Sequence, residues 1–229
     1  ALRRIRPIKS VNEILLMRQS AAANEAAALE ALKTVRAGGS YRELRAEFYA
    51  AAARRDQRGV FMVVDRTSDE LFDAEFYDGQ CFLIDCVSEH QGYHGDYGRT
   101  VFVGEPPRSM ISATRAMADA WDIVRESLKP GLRFSEIQAL GQKAMRQGGR
   151  SYQIPFNPHS VGLYHTDHVA TRGSSPWEDV ILEPGMIISV DCPLLESGIG
   201  GSAHLEDLML ITTDGSEPIN DTGQQVIMI

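Results

Sequence analysis

Cysteine is scarce in this chain: Cys81, Cys86 and Cys192 are the only three in 229 residues. An odd count, each embedded in an apolar strand-like phrase, argues against a disulfide framework and for a reducing cytoplasm. No apolar run approaches the roughly 20 residues that span a bilayer, and the start, ALRRIRPIKS, has no apolar signal segment. A soluble protein without a membrane partner is expected. A basic surplus is also missing, since 23 Lys and Arg face 31 Asp and Glu for a net charge of -8. The basic residues are scattered apart from Arg3, Arg4, Arg6 and Lys9, whereas nucleic-acid binding calls for concentrated positive charge, so none is expected as a partner. No histidine precedes His90. The chain opens on Ala rather than Met, and RRIRPIKS reads as a linker entering a helix, so further sequence is expected upstream.

At 25.3 kDa and 43% hydrophobic residues, the chain can bury a sizeable core. Ser10 and Glu13 form a capping box ahead of a helix reaching to about Ala37, and Ser40 with Glu43 opens a second through YRELRAEFYAAAARR. FMVVD, residues 61–65, GQCFLIDCV, residues 79–87, and RTVFVG, residues 99–104, read as strands, with HQGYHGDY as the loop of a hairpin. The plan then repeats. ISATRAMADAWDIVRESL is amphipathic with Trp121 in its core face, KPG stops it, and Ser135 with Gln138 caps EIQALGQKAMRQ. HSVGLYHTDHV, GMIISVDC and HLEDLMLITTDG follow, the last a second possible hairpin. Gly79 precedes Asp85 by the same six positions that separate Gly185 from Asp191. A period near 100 residues is too long for a solenoid and predicts one pseudo-symmetric α+β domain, with halves at about 10–106 and 107–215.

An aspartate ending an apolar strand costs several kcal/mol if buried alone, so it needs a metal, a cation or hydrogen bonds. Asp85 and Asp96 close the first half; Asp191 and Glu206 close the second. Related by a pseudo-two-fold, the four converge, and clustered carboxylates raise one another's pKa unless divalent cations neutralise them. HSVGLYHTDH offers imidazole in His159, His165 and His168. Carboxylates with imidazole suit Mn, Co, Fe or Zn better than Ca. Two such cations would bind a bridging water, lower its pKa and polarise a carbonyl, which makes hydrolysis the expected chemistry. Cys86 and Cys192 each follow an acid by one residue, so strand alternation turns their thiols away from it.

These residues resemble the pita-bread family of methionine aminopeptidase, aminopeptidase P, prolidase and creatinase over residues 8 to 215. The resemblance rests on Asp85, Asp96 in DYGRT, His159 in HSVG, Asp191 in LEPGMIISVDCP and Glu206 in HLED. It implies a central curved antiparallel sheet with helices on its outer face and those five residues as ligands of two divalent ions. It also implies a homodimer, an N-terminal domain, and hydrolysis of the Xaa-Pro aminopeptidase or dipeptidase type on a small peptide.

The pattern departs from the family at several points. The family carries Glu, a metal ligand that shuttles protons, where Asp191 stands. A family Gly is Val87, a frequent Thr is Gly98, and the Arg ahead of the last motif becomes His204-Leu205. The family's early substrate-contacting His is missing, and its second active-site His falls on Thr166. His165 or His168 takes that role, with Asp191, as catalytic groups, and His204 and Tyr93 are expected at the substrate. The same resemblance admits a pocket retuned to a small non-peptide substrate, as in creatinase or lyases of this fold, or a non-catalytic peptide-binding module.

Overall fold

The computed structural model of the chain describes residues 5–147, 152–167, 179–195, 198–220 and 223–229. Ser10 closes a reciprocal capping box with Glu13 and starts α1, Val11–Ala31. A single 3-10 turn, Leu32–Thr34, completes α1 short of the expected Ala37. The Ser40 hydroxyl accepts from the Glu43 amide to cap α2, Tyr41–Ala53. Three strands follow: β1, Arg58–Val64, β2, Cys81–His90, and β3, Tyr93–Phe102. The order then recurs with α3, Arg108–Ser127, α4, Phe134–Gln147, β4, Asn157–Ser160, β5, Ile187–Asp191, and β6, Met209–Ile211. β7, Ser216–Pro218, and β8, Val226–Met228, complete the chain. The phrases that carry Asp85 and Asp191 both open on a glycine with positive φ, 81° at Gly79 and 87° at Gly185, a conformation other L-residues rarely adopt.

The strands form two sheets, β1-β2-β3-β8 and β4-β5-β6-β7. β8 joins β3 in parallel, a pairing that the short C-terminal phrase did not announce. β2 and β3 pair without interruption from Cys81 opposite Phe102 to His90 opposite Tyr93. HQGYHGDY is therefore ladder rather than loop, with only Gln91 and Gly92 left as the turn, and Asp96 lies inside a strand. The expected cap at Ser135 is also revised. α4 begins one residue earlier, the Arg133 amide donates to Glu136, and Ser135 donates its amide and hydroxyl to Asp179.

Each sheet turns one face to its helices. Ile84, Cys86, Tyr97 and Val101 pack with α1 and α2, whereas Ile188, Val190 and Cys192 pack with α3 and α4 around Trp121. Cys86 and Cys192 are thus core thiols, and strand alternation sends Asp85 and Asp191 to the opposite face. No helix among the described residues is long and apolar enough to cross a membrane.

The two sheets meet along a seam made by residues 201–206. Gly98 and Glu206 exchange backbone hydrogen bonds of 3.3 and 3.1 Å, the Leu83 amide donates to Ser202 Oγ, and Thr100 Oγ1 donates to the His204 carbonyl. Glu206 therefore sits in this seam and not in a hairpin strand. Arg99, on the helix-facing side, donates through Nη1 to the Glu206 carbonyl and through Nη2 to Asp207 Oδ1, 2.6 Å away and buried. Removing one partner of a buried pair costs about 3–5 kcal/mol. Arg99→Met is expected to lower the free energy of urea unfolding by that amount, and Arg99→Lys, which keeps charge but loses the planar fork, by less.

Candidate metal centre

The register of the sheets puts the acids on one surface. Asp85 lies opposite Gly98, and Gly98 opposite Glu206, so these three share a cross-strand row and a face. Asp96, two residues before Gly98 on β3, points the same way. On the other sheet His159 of β4 lies opposite Ser189 of β5, and Asp191 ends β5. Across the seam, His159 Nε2 is 3.3 Å from Glu206 Oε1, 3.6 Å from Asp191 Oδ2 and 3.7 Å from Asp96 Oδ2.

All five residues matched to the family's ligands are therefore neighbours, and two further imidazoles join them. His165 Nε2 is 3.2 Å from Asp96 Oδ2, with its ring edge-on to Phe61 of β1 at 5.1 Å between centroids. His204 Nε2 is 3.1 Å from Glu206 Oε2 and 3.9 Å from Asp191 Oδ1. Tyr93 corrects the reading that puts it at a substrate. It belongs to the other face of β3, where its hydroxyl donates to Glu13 of α1. Thr166 adjoins His165, with 3.4 Å between Oγ1 and Nδ1. His168 and Trp177 lie outside the described residues. Ser189 escaped the sequence reading although it donates to Glu206 Oε1 at 2.6 Å. Its signal was present, because two positions before Asp191 is the same strand face.

A model of "Metallopeptidase family M24" matches residues 15–213. The chain belongs to metallopeptidase family M24. Among curated relatives of this M24 chain, "Probable dipeptidase PepE" of Mycobacterium tuberculosis is 24% identical over 238 residues, covering 100% of this chain and 62% of its own length. "Xaa-Pro dipeptidase" of Pyrococcus horikoshii is 26% identical over 237 residues, covering 99% of this chain and 66% of its own. The chain thus spans a little under two thirds of either relative. The solved structure "Prolidase from Pyrococcus furiosus" superposes with a TM-score of 0.86 at 22% identity, over 97% of this chain and 68% of that one. The pita-bread fold follows, with its pseudo-symmetric sheets and outer helices.

The M24 cleft has the donor chemistry of a divalent-cation site. Asp96, Glu206, His159 and His204 are buried, and Asp85 and Asp191 are partly so. Asp85 Oδ1, both Asp96 oxygens, His159 Nδ1 and His204 Nδ1 are shielded from solvent without a well-aligned hydrogen-bond partner. Such orphans are costly unless something else satisfies them, and a bound cation would satisfy the carboxylate oxygens. Three overlapping sets of donor atoms lie within 4.8 Å of one another: Asp96, His159 and His165; Asp85, His204 and Glu206; His159, Asp191 and Glu206.

The side-chain charges are strongly coupled. Burial, then the charges of Glu206 and Asp96, push Asp85 well above the usual carboxylate range. Burial and Glu206 also raise Asp96, and they lift Asp191 to about 6. Burial works against the charged imidazoles, yet hydrogen bonding to Asp191 and Glu206 holds His159 well above its ordinary value. The Glu206 hydrogen bond takes His204 to about 9, and that of Asp96 raises His165. Glu206 goes the other way: burial favours its neutral form, but His159 and His204 hold it well below the usual range.

Metal affinity should follow these directions. Asp191 is neutral below about 6 and offers a free carboxylate above it, while His159 must give up a proton to coordinate. Calorimetric titration with Mn, Co or Zn is expected to show affinity rising from pH 5 to pH 8. At pH 7 the measured heat should vary with the buffer's ionisation enthalpy, reporting proton release. An affinity flat across that range would contradict coordination by these groups.

Proposed function

We propose that this chain is the catalytic domain of a metal-dependent hydrolase of the Xaa-Pro aminopeptidase or dipeptidase type. The observation that carries the reading is the convergence of Asp85, Asp96, His159, Asp191 and Glu206 in one cleft, with buried oxygens that lack donors. These five would hold two divalent cations. When bound, such cations lower the pKa of water and polarise a carbonyl, the chemistry that amide hydrolysis requires.

The chain's own residues supply the rest. His165 is about one third exposed and bears on Asp96, with its ring edge-on to Phe61. A half-open imidazole with raised basicity suits proton delivery to a departing amine. Asp191 is the most exposed of the three carboxylates that contact His159, at 32% of its side chain, which leaves it open to exchange protons with the cleft. Ser189 and His159 hold Glu206 in place, and His159 with His204 keeps it ionised, so Glu206 serves as an anchor rather than an acid.

A second reading has its own support. The His204 imidazole stands among the acids where the family has Arg, and the family's early substrate-contacting His has no equivalent before His90. Both changes alter the cleft wall, which suits a small amide or other non-peptide substrate. Cytoplasmic location belongs to the proposal through the three unpaired cysteines, and a homodimer through the family resemblance.

Assay of metal-loaded protein against a panel of Xaa-Pro dipeptides tests the first reading. Cleavage is expected, with His165→Ala reducing kcat by about 10²–10⁴-fold at little change in metal content, the usual range for losing a general acid or base. Asp96→Asn is expected to abolish both activity and tight metal binding. Bound metal without cleavage of any peptide would instead support the second reading.

A further inference from the structure

We propose that His204 is itself a metal ligand, adding an imidazole to the cation held by Asp85 and Glu206, in space that Gly98 leaves free. The inference rests on the metal-centre reading of the cleft and goes beyond the five residues matched to the family. Asp85, Gly98 and Glu206 occupy one cross-strand row, so a side chain at 98 would stand between the two acids. A Cβ built on Gly98 would come 2.3 Å from His204 Cδ2, 2.6 Å from its Nε2 and 2.8 Å from Glu206 Cβ. None of these contacts is tolerable, so the imidazole position and the glycine are mutually dependent. His204 is held from behind as well, since its amide and carbonyl both bond Thr100 Oγ1 at 3.0 Å.

The ring is therefore fixed and buried, at 3% exposure, with a nitrogen among the acids. Its 3.1 Å separation from Glu206 Oε2 fits two atoms ligating one ion, because donors roughly 2.0–2.2 Å from a metal lie about that far apart. Asp85 Oδ1, buried and without a donor, completes the set. A charge partner for Glu206 alone would leave Asp85 Oδ1 buried without a donor. An added imidazole also has a chemical signature. It shifts preference from Mn, which favours oxygen donors, toward Co and Zn.

The test compares the full chain with His204→Gln, His204→Lys and Gly98→Thr by titration with Mn, Co and Zn, alongside the visible spectrum of the Co-loaded protein. Circular dichroism establishes that each variant is folded. Each variant is expected to lose at least about 10-fold in Co and Zn affinity at one of two sites, to lose less for Mn, and to alter the Co spectrum. His204→Lys keeps the positive charge, so unchanged Co affinity in that variant would show a charge partner and overturn the proposal. Unchanged affinity and spectrum in His204→Gln would overturn it too, while leaving the five-residue centre standing. Failure of the unaltered chain to bind any of the three ions would overturn both.

Discussion

Mutual repulsion among buried acids is the constraint on which the rest of this molecule depends. Two like charges 4 Å apart at an effective dielectric of 20 repel by about 4 kcal/mol, and here Asp85, Asp96, Asp191 and Glu206 share one face. Three imidazoles, from His159, His165 and His204, are interleaved with them and carry the opposite charge when protonated. The cluster is thereby split into strongly ionised Glu206 and acids that prefer to stay neutral. A group of this kind gains from a divalent cation and must be held rigidly without one. Thr100, Ser189, Ser202 and Arg99 provide that rigidity, each bonding to the seam or to an acid.

The duplicated plan explains how a chain of this length collects so many repelling groups at one place. Each half turns a strand's odd face outward and its even face into its own helical core, so one acid per half arrives at the midline from a strand buried on its other side. Symmetry is then broken where chemistry is needed. The first half runs β3 for ten residues and brings Asp96 and Gly98 to the seam, whereas the second half crosses the seam as the irregular segment 201–206 before the short β6 begins. An irregular crossing lets His204 and Glu206 both reach the acids, and its backbone is satisfied from both sides, Glu206 by Gly98 of β3, Ser202 by Cys81 of β2 and Ala203 by Leu194 just beyond β5.

Most of this was legible because strand alternation is a hard rule. It separated Cys86 from Asp85 and Cys192 from Asp191, and the repeated glycine-to-aspartate spacing located both halves. Spacing could not decide where β3 starts. The polar, glycine-containing HQGYHGDY resembles a loop by composition, and only pairing with β2 makes it a strand. The error carried over to Tyr93, whose nearness to Asp96 in sequence conceals its assignment to the other face. Ser135 showed the same kind of limit: its spacing to Gln138 matches a capping box, but Asp179, distant in sequence, captures the hydroxyl. His204 was recognised as a change from Arg, yet its entry among the acids depends on the missing side chain of Gly98 on a different strand. Two departures that looked independent in sequence are one adjustment in space.

The same geometry changes the significance of Asp191. One methylene fewer than the family's Glu withdraws the carboxylate by about 1.5 Å, which on sequence alone reads as a loss of reach. In the folded cleft the Asp191 oxygens still approach His159 to 3.6 Å and His204 to 3.9 Å, with the side chain partly open to solvent. Burial and the charge of Glu206 bring its pKa to about 6 before any cation binds. Shortening this acid therefore keeps a carboxylate at the rim and within reach of both the His159 and His204 rings. A shorter carboxylate beside an added imidazole makes the donor set of the centre softer. The departures at 98, 191 and 204 are then parts of one retuned centre, and their combined effect bears on metal preference before it bears on whether hydrolysis occurs.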